Sequence, residues 1–480
     1  MTDTTPEAAL EPRDCPPLEA AVVRFIQEFD SRRVTPELRT VVSRVLRDQF
    51  SAQIGNSRLP WSCQILAMAN ARHVPGNSSI LSTGLRMSAL DAAFVNASFA
   101  HGFEYDEGHR GSNSHPGCCV VPTAIAVGEE TGATLDEMVT AVLMGYEVYA
   151  RIGCLAAPDL LQRGFHPATV LASFGAAAVA VKLRGLDAET TLHALAIALS
   201  HASGATEYSS SGGSVKRVHP GIGVRGGMLS AELAQAGITG PRAFLTGVKG
   251  FYRTFVQRPV AADAAQHFSA GHPYEILRGG FKRYCCCGCN HSPIDIMAAY
   301  TGRAHEIEQV SLRIQRLCNT LVGTVNANVY EPSNIEQVQF SLPTQVAFAM
   351  LGYGNGYQVH LDYLEGRLDM ALVRSTARKV QISEDPDLDR RYAGKFVAQA
   401  TVTLRDGANE THFVEDSVGT PDNPMPESAH DAKFMELTRN VLGEPQAAQL
   451  LRALHALDPG TRIADLTALA TPSSISKAST

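Results

Sequence analysis

The stretch SFGAAAVAVKLRG, residues 173–185, constrains the fold more than any other part of the chain. From Phe174 to Val181 it carries no polar side chain. A helix that is apolar on every side has no face to give to water, so it must lie inside a layer of other elements. Gly185 at its end fits a helix stop. The covering elements are legible on either side. EAAVVRFIQEF (19–29), DEMVTAVLMGYEVYARIG (136–153) and TTLHALAIALSHA (190–202) carry apolar residues at helical spacing. Thr134 and Glu137 form a capping-box pattern ahead of the second. With 480 residues, 45% of them hydrophobic, the chain is long enough for such a shell and for a second domain.

The pattern changes after residue 272. VSLRIQRL (310–317), ARKVQISED (377–385) and KFVAQATVTLRDG (395–407) alternate or carry β-branched runs and read as strands, the last ending in an Asp-Gly turn. Helical stretches lie between them: SPIDIMAAYTGRA (292–304), with Ser292-x-x-Asp295 as its cap, and PTQVAFAML (343–351). From Pro424 onward helices return. The expected fold is mainly α. A large all-helical domain is built from residues 17–271 and 416–469, and a smaller α+β lid, residues 272–415, is inserted between them. Residues 1–16 read as a flexible lead and 470–480 as a disordered tail. A cleft between two such domains is a common ligand site.

Composition excludes several classes of function. A net charge of −7 and a pI near 6.1 argue against a nucleic-acid partner, which calls for a basic patch. Without a run of about 18 apolar residues, no membrane-spanning segment is expected. The acidic, Pro-rich start lacks the basic and apolar regions of a signal peptide, which gives a cytoplasmic expectation. Ten cysteines in such a chain read as free thiols.

Four segments carry chemistry. HGFEYDEGHRGSNSHPG (101–117) gathers His101, Glu104, Asp106, Glu107, His109 and His115 at the end of the helical pattern ALDAAFVNASFA. Mixed carboxylates and imidazoles can trade protons near neutral pH or hold a metal, whereas the plain alternative is a solvated loop. SSSGGSVKRVHPGIGVRGG (209–227) places a flexible turn with Gly213, then Lys216 and Arg217, before a helix, as suits an anion site. Its GIGVRG matches G-x-G-x-x-G but lacks the strand that a dinucleotide fingerprint needs in front of it. RGFHPATVLASFG (163–175) puts His166 just before a long apolar helix, where it is either a functional group or a cap. RYCCCGCNHSP (283–293) has Cys286-x-x-Cys289, but no second such pair completes a zinc site and no thioredoxin-like setting surrounds it. Packed cysteines, with His291 aimed into a cleft, are the simpler reading.

In this order, NASFAHGFEYDEGH, HPG, GFHPAT, GGSVKRVHPG, YCCCGCNH, FSLPTQVAFAM, GTPDNPMPE and KF resemble the MmgE/PrpD family of 2-methylcitrate dehydratase and cis-aconitate decarboxylase. The resemblance runs from about Pro17 to about Leu469. It implies a helical domain with an α+β lid, usually as a homodimer, and no metal or organic cofactor. Carried over by motif, it puts catalytic roles on Glu104, Asp106, His115, His166, Lys216 and His291. His115 and His166 act as acid and base, Glu104 and Asp106 orient or relay, and Lys216 stabilises charge. Arg217, His101, Gly213 and Arg283 are the expected substrate contacts. The sequence departs from the family pattern at Glu104, where aspartate is commoner, at Gly108, where several members have a polar residue, and at Thr344, where tyrosine is common. The implied function is a lyase acting on a small di- or tricarboxylic acid, by dehydration or decarboxylation. A dicarboxylate epimerase using the same proton-abstraction site is the alternative. A zinc-dependent or binding protein built on the cysteines is the reading from another class.

Overall fold

The computed structural model describes residues 14–72 and 74–473. The expected lead and tail therefore lie largely outside the described residues. Helix Pro167–Leu183 occupies the centre, with residues 167 to 181 all buried. It is wrapped by helices Gly117–Thr131, Leu135–Ala156, Ala188–Ala198 and His219–Gln235. An apolar helix of this kind is stable only with neighbours on every side, and the chain supplies them from before and after it.

Helix Leu135–Ala156 starts with the anticipated capping box: Glu137 N–H donates to Thr134 Oγ1, and Thr134 N–H donates to the Glu137 carboxylate at 2.7 Å. At 22 residues it is long and apolar enough, by length and composition, to cross a membrane, although Asp136, Glu137, Glu147 and Arg151 interrupt it. Of its most apolar window 89% is buried inside the protein, which makes it a core helix of the bundle. The helical pattern also stops earlier than expected. Residues 236–271, punctuated by Gly237, Pro241, Gly247, Gly250 and Pro259, run as turns with a π-helical turn at Tyr252–Val256 and a 3-10 turn at Ala264–Phe268.

The G-x-G-x-x-G stretch turns out to be a packing stripe. Helix His219–Gln235 contains all of it, so no loop exists to cradle a pyrophosphate. A Cβ on Gly223 would lie 2.5 Å from the Thr169 carbonyl oxygen, and one on Gly227 would lie 2.2 Å from that of Ser173. These glycines let the helix press directly on the backbone of the central helix.

The two ends of the chain share one core, in which Val22, Phe25 and Ile26 join Phe434, Leu450, Leu454 and Ile463. A second core lies under a four-stranded sheet ordered Val380–Glu384, Ile307–Ile314, Ala398–Leu404, Asn409–Val414. The first pair is parallel and the others are antiparallel. Val310, Leu312 and Ile314 face inward, as strand alternation requires, and Ile307 joins them across a register irregularity at 307–309, onto Ile296, Met297, Leu342, Val346 and Met350. The fourth strand, NETHFV, is an exposed edge with little apolar content, and no sequence signal marked it. A third cluster stitches the two parts together, with Trp61, Phe103 and Tyr105 packed against Cys285, Phe348 and Tyr357.

One expected cap is absent. Helix His291–Met297 already includes Ser292, whose hydroxyl donates to the Phe396 carbonyl at 2.5 Å. Asp295 accepts from the Tyr284 hydroxyl at 2.6 Å and from Val418 N–H at 2.8 Å. The Ser-x-x-Asp pair has the capping spacing, yet both side chains turn outward to bind neighbouring segments.

Because the Gly227 contact is backbone to backbone, Gly227→Val is expected to lose at least about 1–3 kcal/mol of stability in urea unfolding. Gly271→Ala, where a Cβ meets nothing within 4 Å, is expected to leave the midpoint unchanged. Equal midpoints for Gly227→Val and the parent protein would remove the close-packing explanation.

Candidate active site

The functional groups converge on one cleft, of about 1090 Å³ including its open mouth. One wall comes from the helical core through Glu104, His115, His166 and Lys216. The other comes from residues 280–291, with Phe340, Phe396 and the turn at 417–420.

The acidic loop begins where helix Ala89–Ala100 ends at His101. Its backbone is held from behind by a buried lysine. Lys433 Nζ donates to Asp48 Oδ1 at 2.7 Å, to the Tyr105 carbonyl at 2.5 Å and to the Lys282 carbonyl at 3.1 Å. Asp48 Oδ2 in turn accepts from Glu107 N–H at 2.8 Å. Glu104 stands at the turn with φ +57°, a left-handed conformation that costs a non-glycine residue on the order of 1 kcal/mol or more. Such strain persists only where the surroundings impose it, and here it aims the carboxylate into the cleft.

Glu104 is shared between two lysines. One carboxylate oxygen is in direct contact with Lys216 Nζ, and the other lies 3.0 Å from Lys282 Nζ, which also donates to the Glu104 carbonyl at 3.2 Å. With both lysines protonated, two ammonium groups on one carboxylate leave a positive charge over, a state that a second carboxylate entering the cleft favours. Burial, followed by the charge of Lys282, pushes Lys216 well below the usual lysine range. Lys282 is delivered by a segment anchored to the core: Glu147 accepts from Glu275 and Ile276 N–H, and Gly279–Gly280 pair antiparallel with Gly108–His109.

Asp106 sits behind the cleft with no exposed surface. Its Oδ2 faces His101 Nδ1 at 2.8 Å and His115 Nδ1 at 3.2 Å. Burial alone would raise its pKa, but the charges and hydrogen bonds of the two imidazoles outweigh burial and hold it well below the carboxylate range. His115 Nδ1 is also 2.6 Å from the Glu107 carbonyl. A carbonyl only accepts, so His115 carries its proton on Nδ1 and keeps Nε2 for the cleft. Burial disfavours its charged form, yet Asp106 outweighs this and raises it above 6.5. His101, on the same carboxylate but without surface, is pressed down to about 3 by burial.

His166 occupies the cap position of the central helix, its Nδ1 2.9 Å from His219 Nδ1. Burial, then the neighbouring His101, keeps it well below the usual imidazole range and therefore neutral. His291 reaches the cleft from the other wall, with a buried Nε2 that has no hydrogen-bond partner. Burial, then Lys282, holds it at about 3.

Of the residues singled out in the sequence, Glu104, His115, His166, Lys216 and His291 meet at the cleft, with Asp106 directly behind. His101 lines a side recess. Arg217 lines the same recess, and Gly213 and Arg283 are placed elsewhere. Arg217 is stacked 3.6 Å from the centre of the Trp61 ring and spends its donors on Glu336 and the Gly102 carbonyl. Gly213 lies in an exposed turn off the cleft wall. Arg283 is exposed on another groove, beside Tyr284, while its neighbour Lys282 enters the site. Lys282, Arg110 and His219 escaped the sequence reading. Lys282 had a signal, because two adjacent cations precede the cysteine run, but adjacency could not tell which one turns inward.

The cysteines are free thiols, and those at 285–289 are buried. Burial pushes the Cys285 and Cys286 thiols up, so they pack as small apolar groups. Among the described residues, two clusters bring three possible metal ligands within 4.8 Å of one another, and neither includes a cysteine of 285–289. They are His101, Asp106 and His115, and His109, Cys154 and Glu275.

A mainly helical protein with a cleft of this acid, imidazole and ammonium content is an enzyme, and the comparison with known proteins gives its kind. The chain belongs to the MmgE/PrpD family: residues 20–262 match the MmgE/PrpD N-terminal domain and 284–458 the C-terminal domain. It is 25% identical to a cis-aconitate decarboxylase of Aspergillus terreus over 85% of this chain and 87% of the relative. It is 26% identical to the cis-aconitate decarboxylase-like protein oryM of Aspergillus oryzae over 98% of each. The human cis-aconitate decarboxylase is 26% identical over 78% of each. The chain is thus a lyase of the dehydratase or decarboxylase type.

The His115–Asp106 pair has a defined pH dependence. With His115 raised above 6.5, its contribution to stability is complete below pH 6.5 and fades as pH rises through the folded-state value. Asp106 is depressed, so its contribution is present above pH 3.8 and fades as pH falls through its folded-state value. In ¹⁵N-histidine NMR, His115 is expected to titrate above 6.5 in the parent protein and below that in Asp106→Asn. An unchanged midpoint in the variant would show that Asp106 does not set it.

Proposed function

We propose that the protein is a cofactor-independent decarboxylase of an unsaturated tricarboxylate, with cis-aconitate as its substrate. The observation that carries this reading is Glu104 shared by Lys216 and Lys282, which leaves a positive charge in a buried cleft beside a protonatable His115. The names of the relatives support the same substrate. They give no support to the epimerase alternative.

cis-Aconitate is a propene bearing three carboxylates. In its decarboxylation the bond from an allylic carbon to CO₂ breaks, and that electron pair becomes a new double bond one carbon along. The far carbon of the old double bond takes one proton. Negative charge gathers on the remaining carboxylates as the bond breaks, so donors fixed in advance lower the barrier most. Lys216 and Lys282 supply that charge, oriented by Glu104. His115 is the acid: Asp106 favours its protonated form, and its Nδ1 is occupied, so Nε2 gives up the proton. His166, uncharged, keeps Nε2 to orient the substrate. Residues 272–415 act as a lid that brings Lys282 and His291 against the helical wall.

¹³C-labelled cis-aconitate followed by NMR in D₂O is expected to give CO₂ and a product with one deuterium at the protonated carbon. Hydration without CO₂ release would overturn the decarboxylase reading. Lys282→Ala and Lys216→Ala are each expected to lower turnover by at least about 100-fold, the scale of fixed charge stabilisation, whereas Arg283→Ala stays near the parent rate. Activity is expected to survive dialysis against EDTA. Its loss, restored by a divalent ion, would place a metal on His101, Asp106 and His115 instead.

A further inference from the structure

Arg110 is a cation on the cleft wall to which nothing described so far gives a task. It sits on the 3-10 turn Arg110–Ser112, between the acidic loop and His115. The turn is rigidly held. His109 is buried with Nε2 3.1 Å from Glu275, Ser112 N–H donates to His109 Nδ1 at 3.2 Å, and His109 and Ser114 exchange both backbone hydrogen bonds. The Arg110 guanidinium reaches across the cleft mouth and lies 5.1 Å from the centre of the Phe396 ring on the opposite wall.

Its charge is only loosely met. The nearest carboxylate is Asp416, at 3.5 Å from one terminal nitrogen. Asp416 is held more closely by Lys395, at 2.7 Å, and Lys395 also gathers Glu415 at 2.7 Å and Asp422 at 3.6 Å. Arg110 therefore has one long contact for a guanidinium with five N–H donors, whose planar fork matches a carboxylate. The cation–π contact with Phe396 uses none of those donors.

We infer that Arg110 is the specificity-determining residue of the cleft: it binds the third carboxylate of the substrate and so selects tricarboxylates over dicarboxylates. This rests on the reading of the cleft as a polycarboxylate site. Lys216 and Lys282 hold one carboxylate deep in the cleft beside Glu104. Arg110 stands at the mouth, against Phe396 of the opposite wall, and meets a carboxylate that a shorter or less substituted acid does not carry. The bound carboxylate replaces the long contact to Asp416, which stays paired with Lys395.

Binding of two unreactive acids separates the alternatives. Propane-1,2,3-tricarboxylate carries three carboxylates and propane-1,3-dicarboxylate two on the same carbon chain. Titration calorimetry on the parent protein is expected to show the tricarboxylate binding at least about tenfold tighter, the scale of a charge-assisted bidentate contact. In Arg110→Gln that preference collapses toward equality, through loss of tricarboxylate affinity with little change for the dicarboxylate. Arg283→Gln, whose exposed arginine lies outside the cleft, keeps the parent ratio. If Arg110→Gln retains the parent preference while both acids bind, Arg110 does not select the third carboxylate and the polycarboxylate reading survives. If neither acid binds the parent protein, the reading of the cleft fails and the inference with it. An Arg110→Gln protein with an altered thermal midpoint is replaced in the comparison by Arg110→Lys, which keeps the charge but loses the fork and is expected to show an intermediate ratio.

Discussion

The buried pair of Lys433 and Asp48 is the interaction on which the site depends. It joins a helix from each end of the chain, and from that joint it holds the carbonyls of Tyr105 and Lys282 and the amide of Glu107. Both side chains are almost without surface. Taking two ions out of water is costly, and burial pushes the Asp48 carboxyl up despite its partner. The return lies in geometry. Every donor of the ammonium is used, so the acidic loop and the Lys282 segment have one permitted spacing. Removing one partner of such a pair typically costs about 3–5 kcal/mol because the other is left charged and unpaired.

From that joint follow the two electrostatic features of the cleft. Glu104, strained into a left-handed turn, brings two lysines together that would otherwise repel, and it leaves them with a net positive charge. Asp106 does the reverse, one carboxylate between two imidazoles, and the two imidazoles respond differently. His101 has no surface and is pressed toward the neutral form. His115, with the same partner but an open side toward the cleft, is drawn toward the charged form. One acid thus borders two imidazoles held toward opposite forms: burial with the charge of Lys216 works against a charged His101, and Glu107 adds to Asp106 in favouring a charged His115.

Much of the fold could be read from the chain because its strongest signals are local. A helix apolar all round must be covered, and the capping box at Thr134 needs only four residues. The histidine and carboxylate density at 101–115 also stood out without a structure. What stayed hidden depends on distant partners. Asp48 and Lys433 are 385 positions apart, and nothing near either one signals the pair. Arg217 and Lys216 look alike in the sequence, but Trp61 and Glu336 claim the arginine. Lys282 and Arg283 are equivalent by composition, and only the anchored strand before them decides which is buried. Ser292 and Asp295 had the spacing of a cap, and the Phe396 carbonyl and the Val418 amide took them instead. The glycines of GIGVRGG matched a ligand-binding pattern because close approach of backbones needs glycine in either setting.

The central claim is that the charge left over by Glu104 between Lys216 and Lys282 receives a substrate carboxylate. A crystal structure with propane-1,2,3-tricarboxylate bound tests it most directly. One carboxylate is expected within hydrogen-bond distance of both Lys216 Nζ and Lys282 Nζ, with His115 Nε2 facing the carbon chain. A ligand seated away from these lysines, or one held by Arg217 or Arg283, would contradict it.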